Sequence, residues 1–177
     1  MRVIGGKYKG KRFYPPKKFP SRPTTDMAKE GLFNILDAKV YFDKLDVLDL
    51  FSGTGNISLE FLSRGVGKVI SVDSHFVSWK FQQKTADTLK DPNWHILKQD
   101  AITYLEKAIQ PFDIIFADPP YDFENYEAII NLVFSNNLLV DDGLLVVEHS
   151  DRKSLKGMPH LKNTRNYGGV CFSFFEK

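Results

Sequence analysis

The four residues Asp118-Pro119-Pro120-Tyr121 are the part of this chain best equipped to do chemistry. Proline lacks the N–H that strand pairing needs, so the pair of prolines stops the apolar run Phe112–Phe116 that precedes it. Asp118 and Tyr121 are then held just past the carboxyl end of a strand, the place where open α/β sheets take their ligands. A carboxylate followed by a proline carbonyl offers acceptors to a planar amine, and the Tyr121 ring can stack on the ring that carries it. The competing expectation is a polar turn with Tyr121 folded back as a lid on the core.

A second group of residues has the makings of a nucleoside site. Val47-Leu48-Asp49-Leu50-Phe51-Ser52-Gly53-Thr54-Gly55-Asn56-Ile57 reads as strand, glycine turn and helix start. Gly53 and Gly55 let backbone approach a ligand, and the helix presents free N–H groups. A dinucleotide fingerprint asks for glycine or alanine at the sixth place, where this chain has Ser58. Asp49 within the strand opposes a pyrophosphate and suits an ammonium group, which points to an amino-acid-bearing nucleoside. Asp73 closes the next apolar run about twenty residues on, where a carboxylate can accept both hydroxyls of a ribose. Asp100 follows a third strand, placed to accept an adenine amine while the Ala101 N–H donates to the ring. Taken singly, each acid is better explained as a solvated strand end or a helix cap, and it is the placing of acids or glycine turns at four successive strand ends on one sheet edge that favours the joint reading.

The elements that must position these groups alternate. Strands are expected at Val47–Leu50, Val69–Val72, Trp94–Leu97, Ile114–Phe116 and Leu144–Glu148, with helices near 57–64, 77–89, 102–108 and 126–134 between them. Short apolar strands separated by helices predict βαβ units and a parallel sheet covered on both faces. Thr164–Tyr167, Gly168-Gly169 and Val170–Phe175 predict an antiparallel hairpin closing one edge. Glu148 and His149 end a strand near the site and could line it. Cys171, within an apolar strand, reads as a packed thiol, and His75, His95, His149 and His160 are scattered singly.

The amino-terminal stretch is of another kind. Arg2, Lys7, Lys9, Lys11, Arg12, Lys17, Lys18 and Arg22 bring eight positive charges and no acid to residues 1–25, against a net charge of +2 for all 177 residues. The body therefore carries a net −6, and a basic arm on an acidic body predicts a polyanionic partner. Val3-Ile4 and Arg12-Phe13-Tyr14 flank a glycine-punctuated connection that predicts a small β-hairpin with lysines at its tip. Tyr8, Phe13 and Tyr14 among the cations suit phosphates and unpaired bases. Thr24 or Thr25 can cap a helix starting at Asp26. One cysteine excludes an internal disulfide and, with four scattered histidines, leaves no expected metal. No leader and no bilayer-length apolar run is expected, so the cytoplasm is the expected location.

Together, Asp49-x-Phe51-x-Gly53-x-Gly55, Asp73, Asp100 and Asp118-Pro119-Pro120-Tyr121 resemble the motifs of amino-methylating class I S-adenosylmethionine-dependent methyltransferases. Arg2-Val3-Ile4-Gly5-Gly6-x-Tyr8-x-Gly10, Arg22-Pro23-Thr24-Thr25-Asp26 with Glu30, Leu32-Phe33-Asn34 and Tyr167-Gly168 resemble more narrowly the bacterial 16S rRNA (guanine-N2)-methyltransferase family. The resemblance spans nearly the whole chain. It implies a Rossmann-like α/β fold whose seven-stranded, mostly parallel sheet carries an antiparallel carboxyl-terminal hairpin, as residues 25–177, preceded by an RNA-binding arm, residues 1–24. It implies S-adenosylmethionine as cofactor, S-adenosylhomocysteine as product and no metal. Cofactor contacts fall on Asp49, Phe51, Gly53, Gly55, Asp73, Asp100 and Ala101, and catalysis on Asp118, Pro119 and Tyr121. RNA contacts fall on Lys7, Lys9, Lys11, Arg12, Arg22, Thr24 and Lys29, with a monomer acting on 16S rRNA in the small subunit or an assembly intermediate. Between the Thr-Asp pair and Glu30, where that family carries arginine, stand Ala28 and Lys29; lysine keeps the charge without the planar fork. Rival expectations are an N6-adenine DNA or RNA methyltransferase, a protein-glutamine methyltransferase, an NAD-dependent oxidoreductase and a non-catalytic RNA-binding module.

Overall fold

A computed structural model describes residues 1–19 and 24–177. The strands β1 (Asp46–Leu50), β2 (Lys68–Asp73), β3 (Trp94–Lys98), β4 (Phe112–Ala117), β5 (Leu139–Ser150), β6 (Leu161–Tyr167) and β7 (Val170–Phe175) form one seven-stranded sheet in the order β3-β2-β1-β4-β5-β7-β6. The first five pair in parallel, while β7 runs antiparallel between β5 and β6. The apolar runs of β1 and β4 follow from their place at the centre, buried on both faces.

Five helices cover the sheet: α1 (Asp26–Asp37), α2 (Asn56–Ser63), α3 (Phe76–Leu89), α4 (Ala101–Lys107) and α5 (Tyr126–Ser135). One face holds a core in which Leu32, Phe33 and Leu36 of α1 and Leu59, Phe61 and Leu62 of α2 meet Val47, Ile114, Phe116 and Val146. The other packs Leu105 of α4 and Ile129, Ile130 and Val133 of α5 on Leu48, Leu50, Ile115 and Val147. Phe33 and Phe61 meet edge to face at 4.8 Å between centroids, so truncation of either to alanine is expected to cost about 3–5 kcal/mol. Thr25 caps α1 by accepting from the Ala28 N–H, with Asp26 in the positive first turn.

The amino-terminal segment forms the expected hairpin in minimal form: Arg2 and Arg12 make an antiparallel bridge, Met1 and Phe13 exchange two main-chain hydrogen bonds, and the Val3 N–H donates to the Lys11 carbonyl, around a 3₁₀ turn at Gly6–Tyr8. Its connection is held by α2, where the buried Glu60 carboxylate accepts from the Ile4 N–H at 2.9 Å and the Gly5 N–H at 2.8 Å. Gly6, at φ +71°, lies so close to α2 that an added Cβ would sit 1.8 Å from the Ser63 carbonyl oxygen. The segment is thus laid along α2 and tied down there.

Candidate active site

The five parallel strands all end at one edge of the sheet, and β1 lies between β2 and β4, where the chain's crossovers change direction. That switch point opens a crevice between the ends of β1 and β4. Every acid singled out above lies along this edge.

On the β1–β3 side, the turn after β1 is built from left-handed backbone at Phe51 (φ +57°), Gly53 (φ +51°) and Gly55 (φ +74°). At Gly55 a side chain is excluded twice over, by φ and by the Trp94 ring, 2.7 Å from where a Cβ would stand. Buried Gln82 of α3 clamps the turn by donating from Nε2 to Ser52 Oγ and the Gly53 carbonyl. Asp73 spans it from below: Oδ2 accepts from the Gly53 N–H and Oδ1 from the His75 N–H, both at 2.8 Å. Each oxygen keeps a second lone pair for a ligand hydroxyl. Asp100 caps α4 through Oδ1 and the Thr103 N–H, and its exposed side chain leaves Oδ2 open; Ala101 follows as the first helical residue. The cap and the ligand-facing roles therefore coexist in one carboxylate.

Asp49 is placed differently from a surface ligand. It is buried, with Oδ2 accepting from the N–H and hydroxyl of Ser58. Ser58 in turn meets Ser71, which accepts from the Trp94 indole at 2.7 Å. The departure from the dinucleotide spacing at Ser58 is thus a buried hydroxyl relay that fixes α2 to β1.

On the β4–β5 side, Asp118 follows the last paired residue of β4, and the register of Ala117 with Val147 sets it beside Glu148. Asp118 is half-buried, and the Pro119 carbonyl accepts no hydrogen bond from the described residues, whereas that of Pro120 accepts from the Phe123 N–H. Tyr121 is 78% exposed, so it is no lid on the core. Glu148 is 7% exposed, and its Oε2 accepts from Thr24 Oγ1 at 3.0 Å. Thr24 also gives its carbonyl to Asn56 Nδ2, tying the end of the amino-terminal segment into the site. The Thr24–Glu148 bond joins residues 124 apart, and only the polar identity of each hinted at it in the sequence.

Electrostatics set this edge apart. Asp49, Asp118 and Glu148 form no ion pair with a cation among the described residues. Burial, with the neighbouring Asp118 and Asp73 charges, outweighs the Ser58 hydrogen bonds and pushes Asp49 up to about 7. Burial and the adjacent Glu148 charge raise Asp118 well above the carboxylate range. Burial and Asp49 push Glu148 up to about 7 against the bond from Thr24. Carboxyls so placed are stabilised as anions by a cation delivered into the crevice. Among the described residues no group of acids, histidines and cysteines is arranged to hold a metal.

The basic residues divide. Lys9, Lys11 and Arg12 are exposed, with Lys11 Nζ 5.6 Å from the Tyr8 ring centroid. Lys7 pairs with the buried Asp91 at 2.9 Å, beside the carboxyl-terminal end of α3 and far along the strands from the crevice. Lys29 corrects the expectation of an RNA contact. It is fully buried, donating to the Arg2 carbonyl and Asn56 Oδ1 and paired with Glu60 at 3.4 Å. Its spacing to Leu32, Phe33 and Leu36, on one helical face, was the signal that it turns inward. Arg22 lies outside the described residues.

Comparison with known proteins adds context to this geometry. Residues 1–176 match the family described as Conserved hypothetical protein 95. The chain is similar to the ribosomal RNA small subunit methyltransferase D of Escherichia coli (strain K12), with 33% identity over all of this chain and 90% of that protein. It is also 33% identical to the ribosomal RNA small subunit methyltransferase D of Haemophilus influenzae, over 88% of this chain and 81% of that protein. Among solved structures, one described as "Putative methyltransferase yhhF from Escherichia coli" superposes with a TM-score of 0.88 at 30% identity, covering 100% of this chain and 97% of that one.

Proposed function

The chain belongs to the Conserved hypothetical protein 95 family, and from that premise we propose that it is an S-adenosylmethionine-dependent methyltransferase acting on the exocyclic N2 of a guanine in small-subunit (16S) ribosomal RNA. One observation carries the reading: three carboxyl groups with no ion-pair partner among the described residues gather at the crevice, next to a proline carbonyl that accepts no hydrogen bond from those residues and an exposed aromatic ring. A donor bearing a sulfonium and an ammonium supplies the missing positive charge; a pyrophosphate would be repelled. This is what separates the reading from an NAD-dependent oxidoreductase on the same fold.

When bound, S-adenosylmethionine supplies an electrophilic methyl group. The chain's own residues do the rest. Gly53 and Gly55 admit it against the turn, with Phe51 beside them, and Asp49 contributes negative charge from beneath. Asp73 has a lone pair on each oxygen for the ribose hydroxyls; Asp100 Oδ2 and the Ala101 N–H serve the adenine. Asp118 and the Pro119 carbonyl take the two hydrogens of the target amine, turning its lone pair out of conjugation and aiming it. Tyr121 stacks on a guanine drawn out of its helix. Catalysis rests on positioning and electrostatics. As the nitrogen gains carbon it loses one proton, and Asp118 already holds an N–H where that proton departs.

Residues 1–24 act as an RNA-binding arm, with exposed Lys9, Lys11 and Arg12 on phosphates and Lys7, Arg22 and Thr24 contributing from the same segment. Residues 25–177 are the catalytic unit. The protein works as a monomer in the cytoplasm, on rRNA of the small subunit or its assembly intermediate. The test is transfer of labelled methyl to total RNA and to small ribosomal subunits from a strain lacking this protein, followed by nucleoside analysis. N2-methylguanosine in the small-subunit rRNA is expected. Label only in N6-methyladenosine, or in no RNA, would overturn the proposal.

A further inference from the structure

We infer that Glu148 is the residue that selects guanine at this site, by accepting a hydrogen bond from the ring N1–H beside the amine held by Asp118 and Pro119. The inference rests on the guanine-N2 reading above and adds to it the determinant of base identity.

The argument begins with the sheet. In the order β3-β2-β1-β4-β5, the glycine turn, Asp73 and Asp100 follow β1, β2 and β3, so the nucleoside of the donor occupies one side of β4. Glu148 is on β5, across Asp118 from all three. It is therefore placed toward the acceptor base. Asp118 follows the β4 residue that pairs with Val147, so the register of two strands about 4.8 Å apart brings it beside Glu148, whose charge it feels. Thr24 Oγ1 engages Glu148 Oε2 only, which fixes the carboxylate while Oε1 has no hydrogen-bond partner among the described residues.

The lining at this point is Asp118, the Pro119 carbonyl and Glu148: acceptors side by side. Three RNA bases carry an exocyclic amine. In adenine and cytosine the ring nitrogen next to the amine is an acceptor, and Glu148, ionised once the donor's positive charge is in place, would repel it. In guanine alone that neighbour is an N–H donor. An acceptor pair spaced across two strands fits adjacent donors on N1 and N2, and fits no other base edge that carries an amine. A site built to bond a group rejects an analogue lacking it more strongly than shape alone can.

The test replaces the mapped target guanine by 2-aminopurine, which keeps the 2-amino group and lacks the N1–H, in whichever form, RNA or assembled subunit, the wild-type protein methylates. The wild-type protein is expected to use 2-aminopurine about tenfold to a hundredfold less efficiently in kcat/KM, the worth of one hydrogen bond to a charged group. Glu148→Ala, compared at saturating S-adenosylmethionine, is expected to bring the two substrates to near parity by slowing the guanine reaction; Glu148→Gln, which keeps one acceptor, should recover part of the preference. Equal use of both bases by the wild-type protein would overturn the inference even if no variant folds, and so would a preference that survives in Glu148→Ala. Absence of any methylation of guanine would instead overturn the function proposed above.

Discussion

Asp118, Asp49 and Glu148 are costly to keep ionised in the free protein, since burial and mutual repulsion raise all three. The sign of the consequence follows. A carboxyl whose folded pKa lies above its unfolded value stabilises the fold fully below about pH 4 and loses that contribution as pH rises through about 7. The free protein is therefore expected to lose stability between about pH 4 and 7 on account of this cluster. A bound cation lowers these pKa values, that of Asp49 beneath the glycine turn most, so S-adenosylmethionine is expected to bind more tightly across that range and to release protons as it binds. S-adenosylhomocysteine, without the sulfonium charge, should show a weaker dependence. Titration calorimetry near pH 6.5 in buffers of different ionisation enthalpy measures the release; equal, near-zero release for both ligands would contradict this electrostatic reading.

At the level of elements, the strand ends and the parallel order could be read from the sequence because central strands must be apolar on both faces, and because Asp73, Asp100 and Asp118 interrupt apolar runs at matching places. Other features could not. β5 begins at Leu139, and its polar stretch Asp141-Asp142-Gly143 sits within a strand whose pairing with β4 shifts register between Phe112 and Ile114. The anchoring of the amino-terminal hairpin on α2 gave no signal, because Glu60, which takes the Ile4 and Gly5 donors, sits within an apolar run. Only the family resemblance makes Lys29 an RNA contact; its helical phase with Leu32, Phe33 and Leu36 turns it inward. Lys29→Met is accordingly expected to destabilise the fold by about 3 kcal/mol, the lower end for breaking a buried ion pair, because Glu60 keeps Arg64 and two N–H donors. Denaturant unfolding reads this. A variant of unchanged stability with weaker RNA affinity would return Lys29 to the surface role.

For the whole molecule, charge is distributed with a purpose that its small net value hides. The basic segment runs along α2 from the crevice toward the opposite sheet edge, so an RNA reaching Tyr121 can be held along that flank. Lys9, Lys11 and Arg12 are each expected to contribute about one phosphate contact, so alanine at all three should lower the slope of log affinity against log salt by roughly 3. Lys7→Ala should change the slope less, since its charge is matched by Asp91. Filter binding across a salt series measures both, and a slope unmoved by the triple variant would place the RNA elsewhere.

The central claim is that Asp118 grips the target amine in the reaction and contributes little to holding the donor. Single-turnover methyl transfer by Asp118→Ala at saturating S-adenosylmethionine, alongside its cofactor dissociation constant, addresses that claim most directly. The account predicts a rate lowered at least about tenfold, the lower end for one hydrogen bond to a charged group, with the dissociation constant within about threefold of the wild-type protein's. An undiminished rate, or a loss explained wholly by weaker cofactor binding, would contradict it.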